Sequence, residues 1–276
     1  LTQELTDSLL RTNPEMVTKT VPAGVQLTTP AFRMERPPFD NENVRVAMQK
    51  AINTEEILYA YYKGKADAVP KGATHQNFLG ATYQYDEWPE ETRYKYAYDV
   101  AEAERLLDEA GYPRGADGIR FEVGWDIAPS WGHDQDLDTV IAGYWDKIGV
   151  DVELNIKADT SVLWSSYGDG TSSEIVHAYG RNYPSPILGM YKLRFYGTPG
   201  WISGDTNVEL NTLYEKANAT TDREEWLATV KAMDQLYVEG IWTLALPIPE
   251  KSILWQPWLK SYRGEKGGSS EGTLSS

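Results

Sequence analysis

Hydrophobic residues near the start of the chain recur at helical spacing in one segment and alternate in the next. The segment "LTQELTDSLLRTNPE" (1–15) has the pattern of an amphipathic helix, and "EMVTKTVPAGVQLTTPAFRM" (15–34) has the pattern of two strands. Pro37 and Pro38 then hold the chain extended before a helix that is capped by Asp40 or Asn41. The apolar stripe of this helix predicts one buried face, formed by Val44, Ala47, Met48, Ala51 and Ile52.

Helix caps divide the next part of the chain. Asn53 precedes a second helix, with Glu56 completing a capping-box pattern, and Asp99 with Glu102 repeats the same pattern in "YDVAEAERLLDEAGYP". Each of these two helices ends at a glycine, respectively Gly64 and Gly111. Between them, residues 66–91 are rich in Gly, Pro and aromatic residues, which predicts a long irregular loop.

Strand and helix patterns alternate through the middle of the chain. A strand from Ile119 to about Trp125 precedes a helix that ends at Gly149, and the segments 150–157 and 173–180 are further strands. Parallel strands need crossovers of a dozen residues or more, so this alternation predicts an α/β layer with mostly parallel pairing. The inward face of the helix before Gly149 is predicted to be Leu137, Val140, Ile141, Tyr144, Trp145 and Ile148.

The last third of the chain has two more helices and two more strands. One helix covers 208–219, and Asp222 caps the next. The segments "IWTLALPI" (241–248) and "SILW" (252–255) are predicted strands, whereas the Gly- and Ser-rich residues 265–276 are predicted to be a flexible tail.

The aromatic residues are unusual, because ten Trp and 18 Tyr accompany only five Phe. Trp125, Trp131, Tyr183 and Trp201 fall in predicted loops that follow strands, so we expect their rings near a cleft. Asp159 is either a hydrogen-bond acceptor for a ligand or a helix N-cap, and the N-cap is the favoured interpretation. Helix or strand periodicity predicts a core position for Trp226, Trp242, Trp255 and Trp258.

Charge and composition exclude several classes of function. The 276 residues carry 41 acidic and 26 basic side chains, and a net charge of −15 repels nucleic acid. No apolar run of eighteen residues spans a membrane. Cysteine is absent and the three histidines lie far apart, so we expect no metal site and no cofactor. P-loop, Gly-x-Ser-x-Gly and His-Glu-x-x-His motifs are also missing, which argues against catalysis.

Five motifs in one order resemble a known family. They are "PPFDNENVRVAMQKAIN", "YDVAEAERLLDEAGYP", "KIGVDVEL", "AYGRNYPSP" and "LWQPWLKSYRGE". The order is similar to that of the extracellular solute-binding proteins of the dipeptide, oligopeptide and nickel type, family 5, which deliver ligands to ABC importers. The resemblance covers about Glu35 to Glu265.

The resemblance implies a periplasmic-binding-protein-like (type II) α/β lobe, with a mixed sheet flanked by helices and a partial first lobe. Family members are about twice this long and close two lobes on a ligand. The implied division of this chain is a remnant of the first lobe with crossover strands (1–38), the second lobe (39–245), a return strand (246–264) and the tail (265–276). The N-terminal lobe of the same protein would be one partner, and the ABC transporter permease in the membrane another.

"AYGRNYPSP" (178–186) is the best candidate for the site. The family's pattern implies that Tyr179 stacks on the ligand, and that Asn182 stands where peptide binders carry an aspartate for the ligand's ammonium group. A neutral amide lacks that charge-assisted bond, and Arg181 also disfavours a cationic ligand. Together with the surplus of Trp and Tyr, this favours an oligosaccharide over a peptide.

The alternatives are a peptide-binding member of the same family and a stand-alone interaction domain that kept the lobe's fold without transport. The structural alternative for residues 178–186 is a strand end and turn shaped by Pro184 and Pro186. The predicted location is the periplasm or the outer face of the membrane, with a lipid anchor on an absent N-terminal part as a further hypothesis.

Overall fold

A computed structural model describes residues 3–21, 29–74, 80–128, 135–178 and 207–263. Its strands are β1 (Val17–Val21), β2 (Thr29–Phe32), β3 (Ala66–Asp67), β4 (Phe121–Ile127), β5 (Val150–Ile156), β6 (Ile175–Ala178), β7 (Ile248–Pro249) and β8 (Lys251–Trp255). Its α-helices are α1 (Gln3–Thr12), α2 (Glu42–Lys50), α3 (Thr54–Glu56), α4 (Glu90–Lys95), α5 (Val100–Glu109), α6 (Gln135–Lys147), α7 (Thr160–Gly168), α8 (Val208–Ala219) and α9 (Arg223–Glu239). A π-helical turn, Ile57–Tyr61, continues α3, and a 3₁₀ turn covers Tyr85–Glu87.

The central sheet has four strands in the order β2-β6-β4-β5. Strand β4 runs parallel to both β5 and β6, and β2 is antiparallel to β6. The predicted mixed sheet with mostly parallel pairing is therefore confirmed. Strand β4 begins and ends two residues later than predicted, which places Trp125 inside the strand and not in the loop after it.

Helix α6 covers the sheet with large apolar side chains. Ile141, Tyr144 and Trp145 are buried, and the indole N–H of Trp145 donates to the carbonyl oxygen of Met48 at 2.9 Å. The predicted inward position of Val140 is wrong, because this side chain is 38% exposed. Each helical residue turns by about 100°, so Val140 lies to the solvent side of the buried stripe of Leu137, Ile141 and Trp145.

Helix α2 is buried along most of its length and is held by side chains on several sides. Asn41 is its N-cap and accepts a hydrogen bond from the N–H of Asn43 at 2.9 Å, so of the two predicted caps Asn41 is the one used. The peptide bond between Pro37 and Pro38 is cis. The guanidinium of Arg45 donates to the carbonyl oxygens of Phe39 and Gly240, at 2.7 and 2.8 Å.

Two short antiparallel pairs lie outside the central sheet. Strand β1 pairs with β8 over five residue pairs, and β3 pairs with β7. Helix α1 contacts β8. The division of the chain at residues 38 and 245 stays a prediction.

Two predictions for the C-terminal third are wrong. The segment 241–248 forms only one bridge, between Ala31 and Thr243, before β7 begins at Ile248. Pro247 and Pro249 have no N–H to donate to a longer ladder. Trp242 is buried as predicted, whereas Trp258 is 74% exposed because it lies in a turn beyond β8.

Candidate functional site

The parallel strands of the central sheet end at one edge. Strands β4, β5 and β6 end at Ile127, Ile156 and Ala178, respectively. In open α/β sheets, ligands bind outside the carboxyl ends of the strands. This edge is therefore the candidate site, and "AYGRNYPSP" begins there with the last residue of β6.

Most of the predicted site residues cannot be placed at this edge. The positions that lie outside the described residues are Trp131, Tyr179, Arg181, Asn182, Tyr183 and Trp201. Their roles stay predictions. Trp125 and Asp159 are described, and the structure gives each of them a definite environment.

Trp125 lies in the core of the described chain. Its side chain has no exposed surface, and its ring lies 5.5 Å from the ring of Trp145 and 5.4 Å from that of His177, measured between centroids. The predicted loop position of Trp125 is wrong, because β4 continues to Ile127 and directs this side chain toward α6. Its ring faces the core, so it offers no exposed aromatic surface to a solute.

Asp159 is the N-cap of α7. Its carboxylate accepts hydrogen bonds from the backbone N–H groups of Ser161 and Val162 at 2.7 and 3.1 Å. The hydroxyl of Ser161 also donates to it at 2.5 Å. These hydrogen bonds, that of the Ser161 hydroxyl first, lower the pKa of Asp159. The favoured N-cap interpretation agrees with this geometry, while a ligand contact by the exposed carboxylate stays a prediction.

A buried polar cluster, formed by Trp125, Asp138, Tyr167 and His177, lies at the end of β6 and was not predicted. Nε2 of His177 lies 3.8 Å from Oδ1 of Asp138, and the backbone N–H of His177 donates to the Tyr167 hydroxyl at 3.0 Å. All four residues are buried, with at most 4% of their surface exposed. Burial is the main cause that raises the pKa of Tyr167.

The sequence contains one signal for this cluster. His177 sits two residues before Tyr179, so it belongs to the strand that the motif predicts. Asp138 and Tyr167 come from α6 and α7, and nothing in the sequence indicates that these helices meet β6 at the same point.

Side chains anchor the start of β6 to β4. These two strands pair directly only between Trp125 and Ile175. Just before that pair, the Asp126 carboxylate accepts hydrogen bonds from the N–H and the hydroxyl of Ser173, at 3.1 and 2.6 Å, and the Glu174 carboxylate accepts one from the N–H of Gly124 at 2.9 Å. The side chains thus continue the connection where backbone pairing stops, and they fix the strand that leads to the candidate site.

A second anchor fixes the turn before β6. The guanidinium of Arg36 donates to the carbonyl oxygens of Gly170 and Ser172, at 2.6 and 3.0 Å. The ammonium of Lys157 lies 3.1 Å from the buried carboxylate of Asp126 and balances its charge. The segment that leads into β6 is therefore held by Arg36 and by Asp126 of β4, a few residues before His177.

Neither a metal cluster nor a membrane-spanning helix occurs among the described residues. Within them, no group of three or more His, Asp or Glu side chains is arranged to hold a metal ion. The same part of the chain contains no helix that is both long and apolar enough to cross a bilayer.

A sequence model described as "Bacterial extracellular solute-binding proteins, family 5 Middle" matches residues 4–200. The chain belongs to this family. The resemblance carried by the five motifs is therefore confirmed over most of its range.

Curated relatives and solved structures extend the match. Heme-binding protein A of Haemophilus influenzae is 28% identical, and the alignment covers 73% of this chain and 35% of that protein. Glutathione-binding protein GsiB of Pectobacterium atrosepticum is 34% identical over 85 residues, which are 31% of this chain and 15% of that protein.

The fold is that of the type II periplasmic binding proteins. The periplasmic binding protein DppA from Helicobacter pylori, solved in complex with the peptide STSA, superposes with a TM-score of 0.71 at 21% identity. The superposition covers 91% of this chain and 47% of that chain. This chain thus spans only about a third to a half of these longer relatives, apart from the short match to GsiB.

Proposed function

We propose that this chain is the C-terminal lobe of the substrate-binding component of a bacterial ABC importer. The lobe closes with a first lobe of the same protein on a small polar solute and releases it to the membrane permease. The function is binding and not catalysis. The observation that carries this proposal is the family match over residues 4–200.

The geometry of the sheet supports the position of the site. The carboxyl ends of β4, β5 and β6 face one edge, and two sets of side-chain contacts fix β6 just before Tyr179. Because β6 is held rigidly, the segment that continues from it loses little entropy when a solute binds. In this proposal Tyr179 stacks on the ligand, while Arg181 and Asn182 form hydrogen bonds to it.

For the ligand we propose a peptide or a peptide-like solute ahead of an oligosaccharide. The preference for an oligosaccharide rested on Asn182 and on the surplus of Trp and Tyr. No oligosaccharide appears in the descriptions of the three relatives named above, which mention haem, glutathione and a peptide. The family comparison therefore supports a peptide-binding member of the family better than an oligosaccharide-binding one.

The proposed location is the periplasm or the outer surface of the cell. The family's description as extracellular supports it. A lipid anchor on an N-terminal part of the protein is a further hypothesis.

Calorimetry tests the proposed function. The gene product that carries this chain is titrated with the peptide Ser-Thr-Ser-Ala, with glutathione and with cellotriose. We expect saturable binding of at least one of the two peptides and none of cellotriose. Tight binding of cellotriose alone would restore the oligosaccharide interpretation.

Two further outcomes would contradict the importer component. A stand-alone interaction domain would bind none of the solutes and would co-purify with a protein partner. An enzyme would convert a bound solute, which mass spectrometry of the titrated samples would detect. Either result would remove transport from the function of this lobe.

A further inference from the structure

A groove of about 730 Å³ lies between α2, α4 and α5. None of its lining residues belongs to β4, β5 or β6, so the groove is separate from the edge of the sheet that forms the candidate site. Val46 of α2 and Leu106 of α5 are its most buried lining residues, at 6% and 8% exposure, and they form an apolar floor. Pro89 and Tyr94 line the same groove and are exposed. The groove therefore combines an apolar floor with an open side.

Most of the charge around the groove is negative. Four of its lining side chains are acidic and one is basic. Two of the four acids are already paired, because the ammonium of Lys95 lies 2.6 Å from the Glu42 carboxylate and the guanidinium of Arg105 lies 2.7 Å from that of Glu102. Basic side chains of the protein itself thus neutralise two of the four carboxylates.

Glu90 and Glu91 carry the other two carboxylates of the groove. Both residues are exposed, and within the described part of the chain no ion pair or hydrogen bond holds either side chain. Neighbouring like charges repel each other, so the approach of cationic groups lowers the electrostatic energy of this pair. A basic ligand is therefore favoured over an acidic one, and two positive charges match the two carboxylates that the protein leaves unpaired.

Tyr94 indicates how a basic side chain fits into the groove. This residue is 52% exposed, and the ammonium of buried Lys50 lies 3.7 Å from the centroid of its ring. Because the ring already interacts with one cation, its exposed part serves as an apolar wall and not as a second cation site. The methylene stem of a Lys or Arg side chain can pack on this wall while the charged head reaches Glu90 or Glu91.

The small contribution of exposed ion pairs favours a protein segment over a free polyamine as the occupant. Two such pairs alone hold a small cation only weakly, since water and salt screen them. A protein partner adds apolar contacts to Val46, Leu106 and Tyr94, and it excludes water from the groove. A second copy of this chain is a poor occupant, because two molecules with a net charge of −15 repel each other.

We propose that the groove between α2, α4 and α5 is a docking surface for a segment of a protein partner that carries two basic side chains around an apolar one. Glu90 and Glu91 pair with the basic side chains, and the apolar side chain packs on Val46 and Leu106. This inference goes beyond the proposed function and does not depend on it, because the groove takes no lining residue from the strands of the candidate site.

Calorimetry with the peptide acetyl-Lys-Leu-Leu-Lys-amide tests the preference for a basic segment. The gene product that carries this chain is titrated with this peptide, with acetyl-Glu-Leu-Leu-Glu-amide and with spermidine, at about 20 mM salt. We expect saturable binding of the basic peptide, weaker binding of spermidine and none of the acidic peptide. The affinity for the basic peptide should fall at about 200 mM salt, because exposed charges are screened. Equal affinity for the acidic peptide, or tighter binding of spermidine, would overturn the inference.

The double variant Glu90→Gln/Glu91→Gln tests the place of binding. Its matched control is Glu209→Gln/Glu215→Gln, which removes the same charge from exposed positions of α8 outside the groove. We expect the groove variant to weaken binding of the basic peptide about three- to tenfold and the control to weaken it less than about twofold. Unfolding midpoints of both variants should stay close to that of the wild type. Equal loss of affinity in the two variants would mean that only the overall charge attracts the peptide, and it would reject the docking surface.

Competition separates this surface from the solute site. An excess of Ser-Thr-Ser-Ala should leave the affinity for the basic peptide unchanged, and displacement would mean that the basic peptide occupies the solute site, which rejects the inference but not the proposed function. If the protein binds the basic peptide and none of the solutes, the docking surface stands and the proposed function is contradicted for those solutes. A dimer that dissociates in Glu90→Gln/Glu91→Gln would assign the groove to a second copy and would also overturn the inference.

Discussion

Gln49 and Ala245, which lie 196 residues apart, exchange two hydrogen bonds. The N–H of Ala245 donates to Oε1 of Gln49 at 2.7 Å, and Nε2 of Gln49 donates to the carbonyl oxygen of Ala245 at 3.3 Å. The side-chain amide of Gln49 thus acts as a pairing partner for the chain that leads toward β7 and β8. Helix α2 therefore packs against the returning segment of the chain at Ala245 and against α6 through Trp145.

Replacing Gln49 by Leu should destabilise the fold strongly. Gln49 is 1% exposed, so the variant leaves two buried backbone groups of Ala245 without these partners. We expect a loss of about 2–4 kcal/mol in the free energy of unfolding, measured by urea titration with tryptophan fluorescence. Gln235→Leu is the control, because Gln235 is half-buried and, among the described residues, its side chain bonds to that of Glu239 alone. A similar loss in both variants would contradict the prediction.

Gly72 and Gly143 should respond in opposite ways to replacement by Ala. A Cβ atom at Gly72 would lie 2.5 Å from Cγ of Asp234. That carboxylate cannot move freely, because it accepts hydrogen bonds from the N–H of Thr74 at 2.8 Å and the hydroxyl of Thr82 at 2.5 Å. Gly72→Ala should therefore cost about 1–3 kcal/mol.

Gly143 provides the matched control for this substitution. It lies on the exposed side of α6, and a Cβ atom there meets nothing within 4 Å. Gly143→Ala should stabilise the protein by about 0.5–1 kcal/mol, because Ala has the higher helix propensity. Both variants are compared by urea unfolding. A neutral Gly72→Ala would show that the loop at 71–74 relaxes away from α9 without penalty.

Local signals in the sequence predicted the helix starts well. Asn53, Asp99 and Asp222 each accept a hydrogen bond from the N–H three residues later, as the caps require. The second half of two predicted capping boxes was not formed, because each glutamate has another partner, distant in the chain for Glu56 and within the same helix for Glu102. The carboxylate of Glu56 accepts from the Tyr144 hydroxyl, and that of Glu102 pairs with Arg105.

Features that depend on distant contacts could not be predicted. The polar cluster at His177 needs side chains from α6, α7, β4 and β6, and no spacing along the chain reveals that they meet. Trp125 was misplaced because the two-residue difference at the end of β4 decides between a loop and the core. For the residues from Tyr179 to Tyr183, the sequence and the family resemblance remain the basis of prediction.

Tyr167 should be important for the strand that carries the candidate site. Its hydroxyl accepts the hydrogen bond of the His177 N–H, and both residues are buried. Tyr167→Phe removes this acceptor and should cost about 1–3 kcal/mol in the free energy of unfolding. Under the proposed function, the variant should also bind Ser-Thr-Ser-Ala more weakly, because β6 loses a fixed contact at His177, next to the candidate site.

Tyr144→Phe is the control for this prediction. Tyr144 donates to the exposed carboxylate of Glu56, which water can solvate when the hydroxyl is removed. We expect a smaller cost, about 0.5–1.5 kcal/mol, and unchanged peptide affinity. If calorimetry and unfolding do not separate the two variants, the contact between Tyr167 and His177 has no special role at the site.

Glu102 should make stability depend on pH in the acidic range. The hydrogen bonds from Arg105 are the main cause that lowers the pKa of Glu102 from 4.5 to about 2. Because the folded-state pKa lies below the unfolded one, the stabilisation is fully present above pH 4.5 and is lost as the pH falls from 4.5 toward 2. Arg105 is 51% exposed, so screening by solvent keeps the effect on stability small.

The variants Glu102→Gln and Arg105→Met separate this effect from general acid unfolding. In each variant, the midpoint of urea unfolding should depend less on pH between about 4.5 and 2. The double variant should show the same pH dependence as the single variants, because both substitutions break the same pair. NMR titration of the Glu102 carboxyl should show its pKa rising toward the ordinary value in Arg105→Met. An unchanged pKa there would mean that the remaining neighbours, Tyr94 and Lys50, hold the carboxylate ionised without Arg105.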